Sequence, residues 1–168
     1  LLLAFIPSQN IDTLLFYLTF YVLMNIGLLF IYEVLSSSDE DTALETLSGL
    51  GHKHPLLGIL MLITVASLIG IPPFIGFLGK VFIVNTLFVN FSLDSIQSIT
   101  GIVIVFTTFL SLVYYLKLPY YLFVKKYEDS IPRIINKRQL CFSAILVLPL
   151  IVGFFSFDWL LHWLQYVK

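Results

Sequence analysis

Ser67-Leu-Ile-Gly-Ile-Pro-Pro-Phe-Ile-Gly-Phe-Leu-Gly-Lys-Val-Phe-Ile-Val84 sets one positive charge, Lys80, in the most apolar part of the chain. From Pro55 to Leu93 no other ionisable side chain occurs, a run of 39 residues. As one α-helix that run would measure roughly 58 Å, about twice the hydrocarbon thickness of a bilayer. The length predicts that the chain reverses. Gly70, Pro72 and Pro73 mark the place, because proline removes a backbone donor and turns the preceding residue away from helical geometry. A second pass then starts near Phe74 and carries Lys80 roughly 10 Å along it. A lysine at that depth costs at least about 2.5–3.5 kcal/mol on insertion scales, so a compensating environment is required.

The surrounding sequence fixes the class. Hydrophobic residues make up 59% of the 168 and charged residues 11%, and the mean hydropathy is +0.99. Soluble domains carry about 25% charged residues, so this is an integral membrane protein, an all-α helix bundle in a single transmembrane domain. A net charge of −1 predicts no nucleic-acid partner. The single cysteine, Cys141, excludes an internal disulfide and a cysteine-ligated metal or iron–sulfur cluster. Alanine occurs only at positions 4, 43, 66 and 144, while Phe, Tyr, Leu and Ile abound, the bias of an AT-rich organellar genome. Leu1 to Phe5 is apolar but too short to cross a membrane, and reads as the last turn of a helix whose beginning lies elsewhere.

Hydropathy divides the chain into spans at about 13–35, 55–70, 74–92, 98–123 and 139–158, with polar loops at 36–54 and 125–138. Asn25 and Gly27 suggest a packing notch with an interhelical hydrogen bond in the first span. Tyr114, Tyr115, Lys117, Tyr120 and Tyr121 read as an aromatic belt with a snorkelling lysine at the end of the fourth. Trp159, His162 and Trp163 read as an interfacial anchor, and Pro149 and Gly153 as kinks. His52 and His54 flank Lys53 but lack a third ligand, so solvated capping is a better reading than a metal site. The basic loop 125–138 faces the cytoplasm or the mitochondrial matrix by the positive-inside rule. Counting passes from it sets the start of the chain and the Gly70–Pro73 reversal on the same side, and the acidic 36–54 loop opposite.

Lys80 could snorkel toward headgroups. Against that, Gly76 and Gly79 strip bulk from the preceding turn, and the break exposes backbone groups that need water or protein. Pro72, Pro73, Thr64 and Ser67 complete a candidate pocket around it. No carboxylate in the chain lies at the same depth, so the amine is either neutral part of the time or paired with a group on another chain. An amine that alternates between the two states suits a proton relay.

Leu68-Ile-Gly-Ile-Pro-Pro-Phe-Ile-Gly-Phe-Leu-Gly-Lys80, with Gly49-Leu-Gly-His-Lys-His-Pro55, Phe16-Tyr-Leu-Thr-Phe-Tyr-Val-Leu-Met-Asn-Ile-Gly27 and Val113-Tyr-Tyr-Leu-Lys117, resembles the antiporter-like subunit 2 family of NADH:ubiquinone oxidoreductase, respiratory complex I. The resemblance runs in order through most of the chain and is weakest after Leu118. It implies the second half of an inverted-repeat fold with one discontinuous helix, Lys80 being the proton-carrying group of the second half-channel. It also implies no cofactor on this chain: NADH, FMN, iron–sulfur clusters and ubiquinone belong to other subunits. The earlier helices are absent, which implies either a subunit encoded in pieces or a truncated copy; the split reading predicts a companion chain packed on the 13–35 and 55–93 spans. The other partners implied are membrane-arm subunits of complex I and membrane lipids; composition and the split suggest the mitochondrial inner membrane, with a bacterial plasma membrane as the alternative. An Mrp-type cation/proton antiporter subunit and a non-pumping scaffold fragment of the membrane arm are the competing readings.

Overall fold

A computed structural model describes residues 11–36, 44, 47–88, 96–125 and 135–156. Among them every regular element is helical: α1 (Ile11–Leu35), the single turn α2 (Leu50–Lys53), α3 (Pro55–Ile69), α4 (Ile75–Phe88), α5 (Ile96–Tyr115), α6 (Lys117–Pro119), which runs into a π-helical turn Tyr120–Val124, and α7 (Lys137–Phe155). The expected features beyond these limits, Leu1 to Phe5 and the Trp159–Trp163 anchor among them, lie outside the described residues. Local sequence explains the boundaries. Pro55 occupies the first turn of α3, where its missing N–H costs nothing. Gly70 stops that helix in the left-handed region at φ 87°, its N–H bonding the carbonyls of Ala66 and Ser67. Asn136 and Gln139 form a capping box that starts α7.

Among the described residues three stretches are long and apolar enough to cross a membrane: Leu15–Leu35, Ile99–Val124 and Lys137–Phe155. α3 and α4, of 15 and 14 residues, are each too short for this. Their packing along α1 shows how they share the task. Ile31, Val34 and Leu35 at the end of α1 cluster with Leu57, Leu60 and Met61 of α3. A Cβ on Gly27 would lie 3.8 Å from the Thr64 methyl. Met24 and Phe16 cluster with Leu68 and Ile75, and a Cβ on Gly79 would come within 2.8 Å of the Tyr17 ring. Thr64 and Gly79 are equally far in sequence from the Gly70–Pro73 break, so a hairpin would hold them at one height on α1. Their partners Gly27 and Tyr17 are instead ten residues apart, about 15 Å along the helix.

The expected reversal is therefore corrected: α4 continues in the direction of α3, and the two are halves of one discontinuous helix. The length that predicted a reversal is absorbed at the break. Gly76 lies directly against the Ser67 carbonyl, so a Cβ there would overlap it, and the intervening residues add almost no length. Two helical stretches of roughly 19 Å on either side then fill about 39 Å, close to a bilayer with its interfacial zones.

The sidedness of the loops changes with it. The Gly49 N–H donates to the Tyr121 carbonyl at 3.2 Å, and His52 Nε2 lies 2.8 Å from the Phe123 carbonyl oxygen. Lys53 to Leu57 line a cleft with Ile135 to Leu140. The end of the 36–54 segment and the boundaries of the 125–138 segment are thus at one end of the bundle, not opposite ends. Orientation follows Lys and Arg, and acidic side chains weigh little, so the acidic character of 36–54 was no guide. The notch expected at Asn25 and Gly27 is present, since Gly27 packs on Leu146 and Thr64. The interhelical bond is not, because Asn25 Nδ2 donates to Tyr21 O of its own helix at 2.7 Å.

Candidate functional site

Lys80 stands in the second turn of α4, and its side chain runs back to the break. A Cβ on Gly70 would meet Lys80 Cδ at 3.1 Å. The ammonium Nζ donates to Leu68 O at 2.9 Å and to Ile69 O at 3.0 Å. This completes the accounting at the end of α3, where four carbonyls have no helical partner. Ala66 O accepts from the Gly70 and Ile71 N–H groups, Ser67 O accepts from Gly70 N–H, and Lys80 serves the remaining two. The carboxyl end of α3 also carries the negative end of the helix dipole, so the ammonium is held by partial charges of opposite sign. Its counter-charge is backbone. That is why no carboxylate at this depth is needed.

The break lies near the middle of α1, at the level of Tyr17 to Met24. Beside it a cavity of about 270 Å³ opens between α1, α3, α4 and α5, with Lys80 in its wall. The polar lining is Tyr17 and Tyr21 from α1 and Thr107, Thr108, Ser111 and Tyr115 from α5. Tyr17 and Tyr21 stack with centroids 5.7 Å apart. The Thr107 hydroxyl donates to Val103 O at 2.9 Å and the Ser111 hydroxyl to Thr108 O at 2.7 Å. Their protons being so engaged, these oxygens present lone pairs, which suit an ammonium or a water as donor. A polar cavity of this size has room for several waters with the partners they need.

The residues expected around Lys80 divide into three groups. Ser67 and Gly76 meet at the break, where Ser67 Oγ accepts the Gly76 N–H at 3.3 Å. Gly79 lets Tyr17 close on α4. Thr64 faces Gly27, its hydroxyl bonding Leu60 O at 2.8 Å, and does not line the cavity. Pro72 and Pro73 are exposed at the break and do not line it either. None of the six hydroxyl-bearing residues of the lining was assigned to the pocket from sequence. Tyr115 was placed in an aromatic belt; it faces the cavity, whereas Tyr114 is 67% exposed. The signal lay in helical spacing: Thr107, Ser111 and Tyr115 recur every four residues, as do Tyr17 and Tyr21.

Of the two histidines flanking Lys53, His52 serves local structure, joining α2 to the π-helical turn. Among the described residues no group of three His, Cys, Asp or Glu side chains converges on a metal position.

A helix broken at mid-height, with a lysine at the half-helix end and a polar cavity beside it, is the architecture of an antiporter-like membrane subunit. The chain belongs to the NADH:quinone oxidoreductase/Mrp antiporter transmembrane family, whose model matches residues 1–111. It is 30% identical over 148 residues to NADH-quinone oxidoreductase subunit N of Chlorobium chlorochromatii, covering 84% of this chain and 28% of that protein. Subunit N of the Wolbachia of Brugia malayi is 33% identical over 132 residues, 76% of this chain and 26% of that protein. A chain of respiratory complex I from Thermus thermophilus, solved with bound aureothin, superposes with a TM-score of 0.69 at 29% identity, over 89% of this chain and 33% of that one. The chain thus spans about three-tenths of the length of these relatives.

Proposed function

We propose that this chain is the part of a proton-translocating complex I membrane subunit that carries its second half-channel, with Lys80 as the group that takes up and releases the proton. The observation that carries the reading is the position of the Lys80 ammonium, bonded to the Leu68 and Ile69 carbonyls on one side and bordering the hydroxyl-lined cavity on the other. Such an amine has two states, charged and neutral. Charged, it caps α3; on losing its proton it gives up the full charge attracted by that dipole, keeps two N–H donors for the two carbonyls and gains a lone pair that can accept from water in the cavity. A shift of charge elsewhere along the membrane arm would change the balance between these states.

No redox step occurs on this chain in this reading: NADH, FMN, iron–sulfur clusters and ubiquinone act on other subunits. The remaining helices of the subunit and neighbouring membrane-arm subunits are its partners. The alanine-poor, Phe- and Leu-rich composition supports a mitochondrial inner membrane. The similarity to subunits named as NADH-quinone oxidoreductase favours complex I over an Mrp-type antiporter.

One observation favours the scaffold alternative: the two carbonyl bonds of Lys80 are what a purely structural cap would make. Two substitutions in the assembled complex separate the readings. Lys80→Arg keeps a permanent positive charge and the ability to cap, but cannot release its proton; Lys80→Met removes both. We expect Lys80→Arg to assemble normally and to translocate fewer protons per electron, with Lys80→Met at least as impaired. Full translocation in an assembled Lys80→Arg complex overturns the relay reading and leaves the cap.

A further inference from the structure

The residue before Lys80 carries no side chain, and an aromatic ring of another helix uses the space. A Cβ on Gly79 would lie 2.8 Å from Cδ2 of the Tyr17 ring and 3.7 Å from its Cβ and Cε2, so α4 accepts that ring against its backbone only because residue 79 is glycine. Tyr17 is thereby held one residue from Lys80, and the two side chains line the same cavity. Tyr21, stacked on Tyr17 at 5.7 Å, and Tyr115 of α5 line it too. The three phenols lie within electrostatic reach of one another. We propose that Tyr17 is the proton partner of Lys80, passing protons between the ammonium and the hydroxyls of Tyr21 and Tyr115. This rests on the reading of Lys80 as a proton carrier and adds the residue that serves it.

Two observations select Tyr17 from the hydroxyls of the lining. The first is what each hydroxyl is free to do. Thr107 donates to Val103 O and Ser111 to Thr108 O, both in their own helix. A hydroxyl committed in this way accepts readily, but must break its bond before it can donate into the cavity. A phenol hydroxyl stands beyond reach of its own helix backbone, so it can accept on one side and donate on the other. The second is fixed placement. The carbonyls of Leu68 and Ile69 hold the Lys80 ammonium, and the Gly79 contact holds the Tyr17 ring beside the same turn of α4. Groups that exchange a proton gain most from being held in constant register. Tyr17 is half-buried and Tyr21 exposed, so the stack leads from the interior outward.

The transfer needs no net ionisation of the phenol. An Nζ–H bond of Lys80 breaks as a cavity water takes that proton and gives one of its own to the Tyr17 oxygen. The original Tyr17 O–H bond breaks in turn, and its proton passes through the Tyr21 or Tyr115 hydroxyl to water at the mouth of the cavity. Lys80 is left neutral, while the phenols and the first water end with as many protons as they began with.

The test compares Tyr17→Phe, Lys80→Arg and the double variant in the assembled complex, in sealed vesicles, as protons translocated per electron. Tyr17→Phe removes one oxygen and keeps the ring on Gly79. We expect it to assemble normally and to lose most of what Lys80→Arg loses, with the double variant no worse than Lys80→Arg alone. In heavy water, translocation by Tyr17→Phe should slow more steeply than that of the unsubstituted complex, because proton transfer then limits the rate; a packing fault would slow both alike. Unchanged translocation in Tyr17→Phe beside an impaired Lys80→Arg overturns this proposal alone, as do additive losses in the double variant or an unaltered isotope effect. Full translocation in Lys80→Arg overturns the underlying reading of Lys80, and this proposal with it.

Discussion

α3 and α5 are built from much the same residue classes and meet across the Lys80 cavity, yet they live in different surroundings. Ten of the fifteen residues of α3 are buried. Along α5, from Ile99 to Tyr115, only Thr100 and Gly101 are. In water the exposed face of a helix would be polar; in a bilayer both faces are apolar, and side-chain size and the placing of the few hydroxyls become the distinguishing signals. α3 brings Gly58, Ala66 and Ser67 to its contacts, small enough for close approach. α5 turns Ile102, Val105, Phe106 and Phe109 outward and keeps Thr108, Ser111 and Tyr115 for the cavity. The lesson is that in this chain apolar character marks the membrane, while small and hydroxyl-bearing residues mark the protein interior.

The sharpest way to break the comparison is at the tightest contact of the buried side. Gly76→Val would drive a branched side chain into the Ser67 carbonyl and force the two half-helices apart, costing on the order of 3 kcal/mol or more. We expect the assembled complex to be lost from membranes on a native gel. Leu57, fully buried, comes next: Leu57→Ala should cost about 2–5 kcal/mol, read as a lowered midpoint of thermal disassembly. At the meeting point, Ser111→Ala with Tyr115→Phe removes two hydroxyls from the cavity without changing the fold. Losing hydrogen bonds worth about 0.5–1.5 kcal/mol each should slow proton translocation roughly two- to tenfold, with assembly normal. The smallest effect is expected on the outer face of α5, where Phe109 is 66% exposed. Phe109→Ala should move the same midpoint by no more than about 0.5 kcal/mol equivalent. A loss as large as that of Leu57→Ala would show that α5 is covered by protein and not by lipid.

Much of this was legible beforehand. Lys80 stood out because a lone charge in an apolar run is costly, and Gly70, Pro72 and Pro73 marked the break because their backbone chemistry ends helices. The direction of the chain after the break was not legible. Helix length predicts a reversal only if the intervening residues add length, and the Gly76–Ser67 contact cancels it. That contact is a tertiary fact that a glycine permits but does not announce. The partners of Lys80 were hidden for a different reason. Weighing charge against charge counts side chains, and the lysine found its counterpart in the carbonyls of Leu68 and Ile69, which every sequence possesses. Tyr115 and Tyr17 are almost a hundred residues apart, so nothing local connected the end of one helix with the start of another.

The continuation of α3 into α4 is what puts Lys80 in the middle of the bundle, and the sidedness of the two loops tests it most directly. In a Cys141→Ser background, single cysteines placed by Lys53→Cys and Arg138→Cys are exposed to a membrane-impermeant maleimide from each side of sealed vesicles in turn. Both positions should react from the same side. Reaction from opposite sides would mean that the chain reverses at Gly70–Pro73, and Lys80 would then lie near a membrane surface with no reason to carry protons.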